Sequence, residues 1–124
     1  MSDIIDDYLI DLPENKKIDY LTIHQFITEC SDLIQVEKKF NFPFYTYYGL
    51  LLYINFDKKI KLFYIGFCNG SLIDDDFHIL SHGDTKQIRK WYFKNEEQLE
   101  SQSYQLKNLI LKSMQINLSK AKHK

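Results

Sequence analysis

The chain has 124 residues and a mass of 14.9 kDa, the size of one domain. Hydrophobic residues make up 44% and aromatics 15%, enough for a packed core and against a disordered chain. A net charge of −1 and a pI near 6.4 argue against a nucleic-acid partner held by bulk electrostatics.

Charge is unevenly spread. Asp3, Asp6, Asp7, Asp11 and Glu14 open the chain without a base, and Lys107, Lys112, Lys120, Lys122 and Lys124 close it without an acid. Cys30 and Cys68 stand alone, with no CxxC, as in a reduced protein. The acidic start lacks a signal peptide's basic and apolar regions, and no apolar run has the length of a membrane span. The expectation is a cytoplasmic protein with no membrane partner.

In chain order, Ile4, Ile5, Tyr8, Leu9 and Leu12 recur at helical spacing and predict a short helix over residues 3–12, with Ser2 as its cap. Pro13 interrupts it and suits the first turn of a second helix, which runs to Cys30 with Tyr20, Ile23, Ile27 and Cys30 inward. Beyond Asp32 the period becomes two. Strands are predicted over residues 36–40, 44–48, 50–56 and 60–67, with Pro43 at a strand start or bulge. Gly49 and Asp57-Lys58-Lys59 make the turns, and Cys68-Asn69-Gly70 ends the meander with Asn69 and Gly70 able to take positive φ. Residues 71–85 form an irregular insert. Residues 86–93 return to a strand, with Arg89, Trp91 and Phe93 on one face and Lys90 and Tyr92 on the other. Asn95-Glu96-Glu97-Gln98 caps a last helix that presents Leu99, Leu106, Leu109, Ile110 and Ser113 inward and ends near Leu118, leaving residues 119–124 as a lysine-rich fray. The sum is a single α+β domain: an antiparallel sheet of about five strands, with two N-terminal helices and one C-terminal helix on one face.

Four stretches carry a pattern. They are D-x-Y-L-x-x-L-P at Asp6-Asp7-Tyr8-Leu9-Ile10-Asp11-Leu12-Pro13 and a proline-headed aromatic run at Pro43-Phe44-Tyr45. The third, Gly66-Phe67-Cys68-Asn69-Gly70-Ser71-Leu72-Ile73-Asp74-Asp75, is close to G-F-x-x-G-x-x-L-x-D. The fourth is L-x-x-G-x-x-K-x-x-R, closing on Lys86 and Arg89. Together they resemble the YdhG-like family of small bacterial domains of unknown function, over roughly residues 4–116. The resemblance implies a frataxin- and CyaY-like fold. It also implies, from members described as iron chaperones, iron as a weakly held, exchangeable cargo and iron-using assembly proteins as partners.

If iron is handled, the acidic first helix is where to look, because Asp3, Asp6, Asp7 and Asp11 offer hard oxygen ligands at spacings of three, one and four. The plainer reading is a solvated face with acids placed to suit the helix dipole. Asp74, Asp75, Asp76, His78, His82 and Asp84 form a second candidate set, but Gly83 and the turn-forming composition predict a loop. Gly66 and Gly70 read as a close approach and a turn, and no phosphate-loop motif is present. One of Lys86 and Arg89 is expected to pair with an acid among Asp74, Asp75 and Asp76 and so pin the insert. No nucleophile elbow or HExxH is present, so no catalytic residue is assigned. The alternative function is a non-enzymatic module that binds a protein or small ligand on a free aromatic sheet face, with Tyr45, Tyr47 and Trp91 as its candidates.

Overall fold

The α+β architecture is present in the computed structural model, which describes residues 3–123 and, of Asp3, the backbone alone. Ser2, the expected cap, lies outside the described residues. Helix α1 (Asp3–Leu9) ends three residues before the predicted limit. Pro13 biases its predecessor toward extended backbone, so Leu12 N–H closes a turn on Leu9 O and Ile10 is left in solvent. Pro13, at φ −59°, then precedes α2 (Glu14–Cys30), whose buried stripe is Tyr20, Ile23 and Ile27.

Six antiparallel strands follow: β1 (Gln35–Lys39), β2 (Phe42–Thr46), β3 (Leu50–Asp57), β4 (Leu62–Phe67), β5 (Ser81–His82) and β6 (Arg89–Tyr92). Their order is β1-β2-β3-β4-β6-β5. The strand beyond the expected five is β5, two residues of the insert laid along β6. Pro43 stands within β2 opposite Lys38, outside the Tyr45–Thr46 stretch that pairs with β3. The free edge at β1 carries Glu37, Lys38 and Lys39, charges that discourage edge-to-edge pairing. Phe40 and Asn41, at φ 54° and 59°, make the two-residue turn of the β1–β2 hairpin.

The predicted last helix is two. Helix α3 (Glu96–Ser101) is capped by Asn95, whose side chain accepts from Gln98 N. Gln102 interrupts it at φ −104°, ψ 9°, with its Oε1 accepting from Trp91 Nε1 at 2.9 Å. Helix α4 (Ser103–Lys122) then continues through most of the expected fray. Leu99, Leu106, Leu109, Ile110 and Ser113 are all buried as predicted. The core joins Ile5, Tyr20, Ile23 and Ile27 to Tyr45, Leu52, Ile54, Ile65, Phe67 and Trp91 of the sheet, and to Leu106, Leu109 and Ile110 of α4. None of the described helices is long and apolar enough to cross a membrane.

Candidate functional site

Strand parity decides which side chains leave the core. In β3, Leu52 and Ile54 are fully buried, so Tyr53 and Asn55 point to the opposite face. Register extends that face across the sheet, through Tyr53 opposite Gly66, Asn55 opposite Tyr64 and Tyr64 opposite Tyr92. Phe42 and Phe44 of β2 join it by meeting Tyr53 at ring separations of 6.4 and 5.5 Å. The row continues from Tyr53 to Tyr64 at 6.0 Å and from Tyr64 to Tyr92 at 5.6 Å, in tilted and edge-to-face contacts. At its other end Phe44 meets Phe40 at 6.2 Å. Among the described residues the only helical ring that reaches this row is Tyr8, which touches Phe42 at the rim.

Polar groups frame the row. Lys90 is only 6% exposed, with Nζ 4.4 Å from the Tyr64 ring centroid and 3.5 Å from Asp84 Oδ2. Burial works to lower its pKa, but Tyr64, Tyr92 and Asp84 outweigh it and the pKa is raised, so the group stays a cation. The Tyr92 hydroxyl donates to Asp57 Oδ2 at 2.9 Å. Asp57 also accepts from the N–H groups of Ile60 and Lys59, and these bonds, with Ile60 foremost, hold its carboxyl below the usual range. Burial raises Tyr53 and Tyr92, which leaves neutral hydroxyls along the face.

Phe40 ends the row. It is 86% exposed and holds φ 54°, a left-handed conformation that costs a bulky residue about 1–2 kcal/mol. Tyr48, at φ 51° and 62% exposed, is a second aromatic in a left-handed turn, between β2 and β3, and packs edge-on against Tyr47 at 4.9 Å.

The residues expected to form a free aromatic face stand elsewhere. Tyr45 is wholly buried under α2, 2.6 Å from His24 Nδ1. Burial lowers His24 and raises Tyr45, so a neutral imidazole and a neutral hydroxyl share this hydrogen bond. The Tyr20 hydroxyl neighbours that of Tyr45. Trp91 is buried on the core face, where Gln102 holds its N–H, and Tyr47 lies beyond the end of β2. The polar tips of Tyr45 and Trp91 find partners inside the helical layer, which reverses the expectation for these two. Alternation in β3 already placed Tyr53 outward, and that signal leads through the strands to Tyr64 and Tyr92.

The patterned residues brace the chain. A Cβ on Gly66 would collide with the Tyr53 ring, so this glycine is a close approach, as expected. Gly70 does not take positive φ, and neither does Asn69, at φ −110°. Gly70 instead opens a 3₁₀ turn against β6, where a Cβ would lie 2.6 Å from Arg89 N and Cβ. Phe67 is core and Leu72 is exposed. Arg89 Nη1 donates to the carbonyls of Lys86 and Ile88, not to an aspartate, and Lys86 is exposed. Lys112 of α4 holds the insert instead, through Asp74 O at 2.9 Å and Asp76 Oδ2 at 3.5 Å. Asp75 receives the N–H groups of Ile79 and Leu80.

Asp6, Asp7 and Asp11 are exposed, the last beyond the end of α1, while the Asp3 side chain lies outside the described residues. His78 and His82 are exposed, at a turn and in β5. Among the described residues no three His, Cys, Asp or Glu side chains come together as a metal site. Burial pushes both the Cys30 and Cys68 thiols up to about 11. No protein-family model, no curated protein and no solved structure matches the chain.

Proposed function

We propose that the protein is a non-enzymatic binding module that takes a protein partner on the helix-free face of its sheet. The observation that supports this is Phe40, a bulky ring in a left-handed turn and 86% exposed, continuing the Phe44–Tyr53–Tyr64–Tyr92 row. Folding alone gives little return for placing phenylalanine there, since asparagine or glycine fits the turn at less cost and the contact with Phe44 leaves the ring 86% exposed. An interface supplies the return, because aromatics at its centre carry a large share of binding energy. A row across four strands suits a broad protein surface, whereas small molecules favour concave sites.

Iron delivery is the competing expectation, and it rests on the resemblance and on Asp3, Asp6, Asp7 and Asp11. The test compares proteins retained by the wild-type chain, by Phe40→Asn and by Tyr104→Ser. Phe40→Asn keeps or raises the melting temperature and loses the dominant partner, while Tyr104→Ser, on the helical side, retains it. Equal retention by both variants, together with a melting temperature that rises with Fe²⁺, favours iron delivery instead.

A further inference from the structure

The first turn of α2 and the turn between β3 and β4 border a cleft of about 540 Å³, lined by Asn15, Lys16, Asp19, Phe56, Lys58 and Lys61. It lies on the helical side of the sheet, since Phe56 pairs with the core residue Phe63, and it owes nothing to the partner-binding face. Lys16 Nζ stands 3.9 Å from the centroid of the Phe56 ring, which fixes one ammonium at the wall. Lys58 and Lys61 enter no ion pair among the described residues. Of the acids in the adjoining turns, Asp57 accepts from Lys59 N, Ile60 N and the Tyr92 hydroxyl, and Glu14 pairs with Lys17. Asp19 alone offers a carboxylate to the cleft, and partial burial with Glu96 nearby raises its pKa. Three cations and one acid line the cleft, an excess of basic side chains in a chain of net charge −1. Lys61 holds φ 64°, so this turn carries a lysine where glycine or asparagine costs less.

We infer that this cleft binds a small phosphate-bearing ligand, with the ammonium groups of Lys16, Lys58 and Lys61 around the phosphate and the Asn15 amide as a neutral donor. Separate point charges suit a multiply charged phosphate, which lysines bind without the planar fork that arginine brings to a carboxylate. Inorganic polyphosphate and nucleotides share this chemistry.

The test titrates the ¹⁵N-labelled chain at low salt with pyrophosphate, with ATP and with adenosine. Saturable shifts are expected at the amides of residues 15–19 and 56–61 with the two phosphate compounds and none with adenosine. Tighter binding of ATP by tenfold or more identifies a nucleotide ligand, and comparable binding identifies the inorganic source. Lys58→Ser combined with Lys61→Gly weakens binding at least tenfold while the spectrum stays folded, and Lys58→Arg retains it. The inference is overturned by shifts that never saturate, by shifts centred on Lys107, Lys112 and Lys120, or by a single-stranded oligonucleotide that displaces pyrophosphate at lower concentration.

Discussion

Asn117 gives the sharpest measure of what joins the last helix to the sheet. It is 3% exposed, and its Nδ2 donates to Tyr47 O and Leu50 O at 2.9 and 3.0 Å, while its Oδ1 accepts from Asn69 Nδ2 at 3.0 Å. One side chain thus ties α4 to both ends of the β2–β3 turn and to the exit from β4. At about 1 kcal/mol net for each hydrogen bond, Asn117→Ala costs about 2–4 kcal/mol, the low end applying where water reaches the exposed carbonyls. For a chain of this length that is a fall in melting temperature of roughly 8–16 °C. Asn117→Asp separates donation from packing, because it keeps the volume but sets a carboxylate against two carbonyls. It should lose at least as much as Asn117→Ala. Thermal and urea unfolding of the three proteins provide the measurement. Two variants within about 0.5 kcal/mol of wild type would refute the reasoning, since surface changes alone produce effects of that size.

Gly70→Ala should cost more than Gly66→Ala, about 2–3 against about 1 kcal/mol, in urea midpoints. The new methyl at Gly70 meets the Arg89 backbone, whereas at Gly66 it meets a Tyr53 ring that can swing outward. Acid should weaken the fold through His24, whose pKa burial lowers. The unfolded chain then binds the extra proton first, so this contribution is whole above the ordinary histidine value of about 6.5 and drains away as pH falls through the lowered one. The melting-temperature gap between wild type and His24→Asn should narrow from pH 8 to pH 5, and a widening gap would contradict the assignment. Asp57 acts in the same sense further into acid, losing its contribution as pH falls below the ordinary carboxylate range. Replacing Asp3, Asp6, Asp7 and Asp11 together with asparagine should leave any Fe²⁺ titration unchanged if the sheet face is the functional surface. Loss of saturable binding would restore the iron reading.

Much of this architecture is written in period and parity. Leu52 and Ile54 alternating with Tyr53 and Asn55 define both faces of β3, and the inward positions of the last two helices follow from their spacing alone. What the chain conceals is where a polar tip is satisfied. Tyr45 and Trp91 look amphipathic in isolation, yet their hydrogen-bond partners, His24 and Gln102, are 21 and 11 residues away and approach only in the fold. Gly70 is similar. A glycine after asparagine suggests a left-handed turn, but its lack of a side chain serves the approach of Arg89 across the sheet. The break at Gln102 is tertiary as well, since that side chain spans Trp91 and Gln98. Phe40 was readable as a strand end and not as an exposed ring, because exposure depends on what its neighbours leave uncovered.

The central claim is that the helix-free face meets a protein partner. A photo-crosslinking phenylalanine analogue placed in turn at Phe40, Phe44 and Tyr53, and for comparison at Ile18, Leu33 and Tyr104, tests it most directly in living cells. Exposed apolar residues serve as the comparison, so stickiness alone does not separate the two sets. One discrete adduct shared by the first three positions and missing from the others is the predicted result. Adducts at Ile18, Leu33 or Tyr104 with none along the Phe40–Tyr53 row would contradict it.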